Sequence, residues 1–107
     1  MDLFNSTNSY LLKIDKNVYK SIEDGSKTIE YRKLNKDYIQ KGSLIYFVDK
    51  DNFDELGKAL VLVKSYAMKD VVVETEEHIL TREFIKTNYN DEKVLIAFGL
   101  LKWRDSW

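Results

Sequence analysis

Apolar positions along this chain switch between a two-residue and a near-four-residue period, and the switches predict its elements. Residues 9–14, Ser-Tyr-Leu-Leu-Lys-Ile, read as a strand. Asp15 then stands as a helix N-cap, its carboxylate able to accept from the first free amides. Val18, Ile22 and Tyr19 supply the buried stripe of a short helix ending near Asp24. Gly25 suits the left-handed position that closes such a helix. Residues 33–41 are polar and mostly loop. Gly42 opens a strand, Ser-Leu-Ile-Tyr-Phe-Val, that is apolar on both faces, and a charged loop runs from Asp49 to Gly57. Ala59 to Tyr66 forms a second two-sided strand. Val71 to Val73 read as a short third strand or as the start of a helix. Residues 75–87 read as a helix capped by Thr75, with Ile79, Leu80, Phe84 and Ile85 as its apolar side. Residues 93–103 form a long last strand in which Gly99 marks a bend or bulge.

Strands that are apolar on both faces need cover on both sides. A small sheet meets that need by curling into a barrel with helices outside it or across one end. The order of elements therefore predicts an α+β fold: a small, mixed, curled sheet of barrel type with two or three short flanking helices.

Length and composition narrow the classes. The 107 residues make one domain, 1–107, and 44% hydrophobic with 33% charged content fits a folded chain with a single core. No apolar run reaches the roughly 18 residues of a membrane span, and the first residues lack the basic-then-apolar order of a secretory signal. Zero cysteines exclude disulfides and cysteine chemistry and fit a reducing, cytoplasmic setting. With His78 the single histidine, a His/Cys zinc site is all but excluded, and no metal or cofactor is expected. Up to residue 50 there are nine Lys/Arg against seven Asp/Glu; from 51 onward there are eight against eleven. The basic excess is thus local to the N-terminal half, and any nucleic-acid contact should be local, and transient or base-directed.

The richest chemistry lies in Gly-Ser-Lys-Thr-Ile-Glu-Tyr-Arg, residues 25–32. On a strand, Thr28, Glu30 and Arg32 share one face and Ile29 and Tyr31 the other. Polar groups on an inward face are costly unless they pair or meet a ligand. Lys27, at the entrance to that face, suits a phosphate or carbonyl as a point charge, or a base role with a lowered pKa; a lone turn lysine is ordinarily just exposed. Glu30 and Arg32 suit contacts to a base or phosphate, or equally an ion pair that closes the barrel end. Thr28 suits a ligand contact or a plain strand position. Tyr46, Phe47, Tyr66 and Trp103 are candidate stacking platforms, most of them expected in the core. Lys13, Lys33, Lys36 and Lys41 form a candidate basic rim, or an ordinary solvated surface. His78 reads as an incidental helix-surface residue, and Trp103 and Trp107 as cover for an edge or partner.

The run Gly25-Ser26-Lys27-Thr28-Ile29-Glu30-Tyr31-Arg32, preceded by Leu-Leu-Lys-Ile and a short helix and followed by Lys41-Gly42-Ser43-Leu44-Ile45-Tyr46-Phe47, resembles the ASCH domain of the PUA-like superfamily. The family pattern is Gly-x-Lys-x-x-Glu-x-Arg; Ser43 stands where aspartate is common. The resemblance implies a PUA-like pseudo-barrel whose motif-lined cleft, with Lys27, Thr28, Glu30 and Arg32, holds an RNA base or modified nucleoside. One branch of the family consists of metal-independent N4-acetylcytidine amidohydrolases. It matches at Lys27 but carries threonine in place of Glu30, together with a later glutamate for which Glu74, Glu76, Glu77 and Glu83 are the available acids here. The resemblance thus leaves three roles: an RNA-binding domain first, then a hydrolase or ribonuclease with Lys27 and Glu30 as catalytic groups, then a protein-interaction module of the same fold.

Overall fold

A computed structural model describes residues 8–103. The elements in chain order are β1 (Ser9–Ile14), α1 (Lys16–Glu23), β2 (Ile29–Arg32), a 3-10 turn (Leu34–Lys36), β3 (Leu44–Asp49), β4 (Glu55–Met68), α2 (Lys69–Thr75), α3 (Ile79–Asn88) and β5 (Val94–Lys102). The five strands form one mixed sheet in the order β1-β3-β4-β5-β2. β1 and β3 run parallel, and the other neighbours are antiparallel. The sheet curls into a half-barrel with three helices, the α+β class read from the sequence.

Local chemistry explains the first half. Asp15 Oδ1 accepts from the amides of Asn17 and Val18 at 2.8 and 3.4 Å, which satisfies donors that a helix start leaves free. Gly25, at φ +85°, lets the chain reverse out of α1 where a Cβ would be strained. α1 buries Val18, Tyr19 and Ile22 on Leu12, Ile14, Ile45, Phe47, Val61, Ile96 and Phe98, the main core inside the curl. Each such side chain contributes about 1.5–3 kcal/mol when fully buried. Tyr19 fits only because position 57 is glycine: a Cβ there would overlap the Tyr19 hydroxyl and lie 2.7 Å from its Cζ. A smaller cluster of Val72, Ile85, Tyr89 and Leu95, flanked by Tyr31, Ala67 and Val73, sits under α2 and α3 on the other face of the sheet.

The second half departs from expectation in several places. Residues 71–73 belong to α2, so of the two readings the helix holds and the short strand does not. The predicted helix over 75–87 is two helices, broken at 76–78. Thr75 does not cap; its hydroxyl donates to the Val71 carbonyl at 2.8 Å and ends α2. The cap of α3 is His78, whose Nδ1 accepts from the Thr81 amide at 3.2 Å while its Nε2 lies 2.8 Å from Ser21 Oγ of α1. His78 is thus a structural tie between two helices and not an incidental surface residue. Of the apolar side predicted for this helix, only Ile85 is buried; Ile79, Leu80 and Phe84 are exposed. The irregularity expected at Gly99 lies across from it, between Val61 and Val63 of β4. Gly99 itself pairs with both Ile29 and Val63. The far half of β4 is not covered on both sides, since Leu62, Val63, Tyr66 and Met68 are exposed. Trp107 lies outside the described residues. No helix among the described residues is long and apolar enough to cross a membrane.

Candidate functional site

β1 and β2 are the two ends of the strand order, so the curled sheet has one seam. Arg32 bridges it: its Nη2 donates to the Lys13 carbonyl of β1 at 2.9 Å. The same guanidinium grips Glu30, with Nη2 at 2.7 Å and Nε at 3.0 Å from Oε2. On the other side of that carboxylate, Lys27 Nζ lies 3.3 Å from Oε1 and also donates to the Ile29 carbonyl. The strand alternation that places Glu30 and Arg32 on one face is fixed by β5, where Glu30 pairs with Phe98 and Arg32 with Ile96.

Glu30 is 6% exposed and Lys27 4%. Burial pushes the Glu30 carboxyl up, but the charges of Arg32 and Lys27, with their hydrogen bonds, outweigh it and hold the group below the usual glutamate range. Glu30 is therefore a buried carboxylate held in its charged form. Tyr89, also buried, is pushed up to about 12, first by burial, with Glu30 and Glu92 adding to it against Arg32.

Glu30 and Arg32 open onto a cavity of about 190 Å³ at the seam. Ile14 and Val18 form one wall and Tyr31, Phe84 and Ile85 the other; Lys13, Asp15, Lys50 and Thr81 complete the lining. Lys50 Nζ stands 3.7 Å from Asp15 Oδ2 at the mouth. The Thr81 hydroxyl, buried in the lining, lies 2.8 Å from His78 Nδ1. The cavity thus joins a mainly apolar lining to a charged acceptor, Glu30, and a charged donor, Arg32.

The motif residues do not all reach this cavity. Glu30 and Arg32 line it. Lys27 supports Glu30 from behind and, with Thr28, lines a separate cleft beside Gly25, Leu100 and Lys102. Thr28 is exposed; its carbonyl accepts from the Leu100 amide at 2.8 Å, which splices β2 to β5. Of the basic rim, Lys13 lines the cavity, while Lys33 and Lys36 lie over the Tyr89 and Tyr38 rings and Lys41 is exposed. Of the stacking candidates, Phe47 is core at 1% exposure and Tyr66 binds Asp37 through its hydroxyl. Of the downstream acids, Glu76 accepts from the His78 amide at 2.9 Å and lines an adjoining polar cleft of about 370 Å³ with Tyr31 and Glu77. Glu83 pairs with Lys86 at 3.7 Å, and Glu74 is exposed. Asp15, Lys50, Thr81 and Ile85 were not legible as site residues; Asp15 alone carried a signal, as the cap that must sit where β1 meets α1.

The five-stranded curled sheet with its three helices has the fold of an ASCH-like domain. It superposes on the crystal structure of ASCH from Zymomonas mobilis with a TM-score of 0.67 at 16% identity, over 86% of this chain and 66% of that one. A tyrosine-to-phenylalanine mutant of the same protein gives 0.66 at 17% identity, over 84% and 66% of the two chains. A serine-to-alanine mutant gives 0.64 at 14%, over 86% and 66%. At these identities the likeness is one of fold, and the chain spans 66% of the length of the structures it matches. The sequence matches no family model and no curated protein.

Proposed function

We propose that this ASCH-like domain holds an RNA base or modified nucleoside in the seam cavity. The observation that carries the reading is Glu30: a buried carboxylate, held charged by Arg32 and Lys27, lining an apolar-walled slot. A charged acceptor in a dry site hydrogen-bonds strongly to amino or imino donors such as those on a base edge. Tyr31 and Phe84 offer aromatic surface to a base, and Lys13 and Lys50 at the mouth suit a phosphate on the attached sugar. In this reading Arg32 and Lys27 position Glu30, and Thr28 serves the strand.

Calorimetric titration with cytidine, uridine, adenosine, guanosine and N4-acetylcytidine tests it. Saturable one-to-one binding of at least one nucleoside is expected, weakened about tenfold or more by Phe84→Ala through lost stacking. Phe84 is 40% exposed, so that variant keeps the fold. Absence of binding across the series would defeat the reading. A second reading, metal-independent hydrolysis of a modified nucleoside or RNA, rests on the 3.3 Å contact of Lys27 with Glu30. It requires acetate release from N4-acetylcytidine or cleavage of RNA, lost in Lys27→Ala.

A further inference from the structure

The sheet's outer surface carries a second feature that the seam cavity does not use. Leu11 of β1, Tyr46 of β3 and Lys58 of β4 stand in one lateral row. Their side chains face away from the core, because Leu12, Ile45 and Phe47 between them point inward. Lys58 Nζ lies 5.6 Å from the Tyr46 ring centroid and 5.7 Å from that of Trp103. Along β1, Lys13 shares the outward face with Leu11, and its Nζ lies 4.8 Å from the ring of Phe53. Phe53 is 59% exposed and holds φ at +65°, a left-handed backbone that is unusual for a bulky residue and displays the ring on the loop between β3 and β4. A groove of about 460 Å³ runs below this row, lined by Leu11, Tyr46, Val48, Leu56 and Lys58, with Glu55 as its acidic member.

Lys13 belongs both to the outer row and to the lining of the seam cavity. Three aromatic rings on this side have a lysine ammonium within 6 Å: Phe53 has Lys13, and Tyr46 and Trp103 share Lys58. Rings give bases a stacking surface, and ammonium groups beside them meet the phosphates between successive bases. A buried protein-protein contact favours a different make-up, because lysine is depleted at the centre of such interfaces. We infer that this row is a track for single-stranded RNA, so that the ligand of the seam cavity is one nucleotide of a strand whose neighbours lie over Phe53, Tyr46 and Lys58. The inference rests on the cavity reading above and adds the polymer to it.

Fluorescence anisotropy with end-labelled single-stranded RNAs, from dinucleotide to decanucleotide, tests the track, with calorimetry of the nucleoside that fits the cavity run beside it. Affinity should rise with length until the track is filled. Tyr46→Ala and Lys58→Gln should each weaken the decanucleotide about tenfold, Tyr46→Phe should keep its affinity, and none of the three should change nucleoside binding or melting temperature. Lys58→Gln should also flatten the salt dependence by about 0.7 in the log–log slope. A protein that binds nucleoside with no gain from length, or whose Tyr46→Ala variant binds the decanucleotide unchanged, overturns the track and leaves the cavity reading intact. A protein that takes no nucleoside but gains with length overturns the cavity reading, and with it the link between cavity and track. Equal binding of a polyglutamate of similar length would show a general anion surface and overturn the RNA assignment.

Discussion

One face of the sheet has two different interiors. Around Phe98, Ile96, Val61 and Phe47 it is apolar, and α1 covers it with Val18, Tyr19 and Ile22. One strand over, laterally paired with Phe98 and Ile96, stand Glu30 and Arg32. The first region has an evident reason in the hydrophobic effect. The second has none of that kind, since dehydrating three charges costs several kcal/mol each and their mutual attraction returns that only with close geometry. Apolar residues would seal the seam at least as well. Arg32 gives the cluster one structural task, the bridge to the Lys13 carbonyl across the seam, and we propose that the other is what Glu30 and Arg32 present to the cavity beside them.

The comparison breaks most sharply in single substitutions. Phe98→Ala removes a fully buried ring from the centre of the apolar region and should cost about 3–5 kcal/mol by chemical denaturation. Arg32→Ala leaves Glu30 facing Lys27 alone and should also cost about 3–5 kcal/mol, the cost of a broken buried pair. Equal losses in the two variants would still differ in cause. The remedy differs too: no polar replacement restores Phe98, whereas apolar replacement of the whole charged cluster should restore stability.

A smaller effect sharpens the role of Gly57. Gly57→Ala forces the Tyr19 ring from its seat and should cost about 1–3 kcal/mol, with no change in nucleoside binding, because neither residue lines the cavity.

The pH dependence is smaller again and follows from signs. The Glu30 carboxyl in the folded chain lies below its ordinary value of 4.5. It therefore adds stability that is fully present above about 4.5 and is lost as pH falls through the lower, folded value. Melting temperature measured down the acid limb should fall less steeply in Glu30→Gln than in the parent. At the other end, Tyr89 titrates at about 12 when folded against 10.0 ordinarily, so its contribution is present below pH 10 and is lost between 10 and 12. Tyr89→Phe should flatten that alkaline limb.

Much of the comparison was legible in the sequence, and the reasons differ by region. β1, α1 and β3 follow from local signals: alternation, the Asp15 cap and Gly25. The division of β2 into a charged and an uncharged face follows from its period of two. The depth of Lys27 does not, because a lysine just after a turn carries no mark of burial. It is placed by the carbonyls of Ser21, which accepts from its amide, and of Ile29, which accepts from its ammonium. Thr28 and Glu30 share the period but not the destination, since the twist and pairing with β5 take them to different clefts. The break between α2 and α3 was hidden because histidine is an unusual cap, and its tie to Ser21 spans 57 positions. The cavity wall from α3 was equally invisible. It exists only once two distant segments meet at the seam.

The central proposal is that the Lys27–Glu30–Arg32 cluster is kept for the cavity, although Arg32 also bridges the seam to Lys13. The measurement that tests it most directly is paired: melting temperature and nucleoside titration on a triple variant, Lys27→Met with Glu30→Leu and Arg32→Met. The account predicts a stability equal to or above that of the parent, as replacement of buried ion clusters by apolar residues is neutral or stabilising by about 1–4 kcal/mol, together with loss of nucleoside binding. A triple variant that is strongly destabilised, or that stays folded and still binds nucleoside as the parent does, would contradict it.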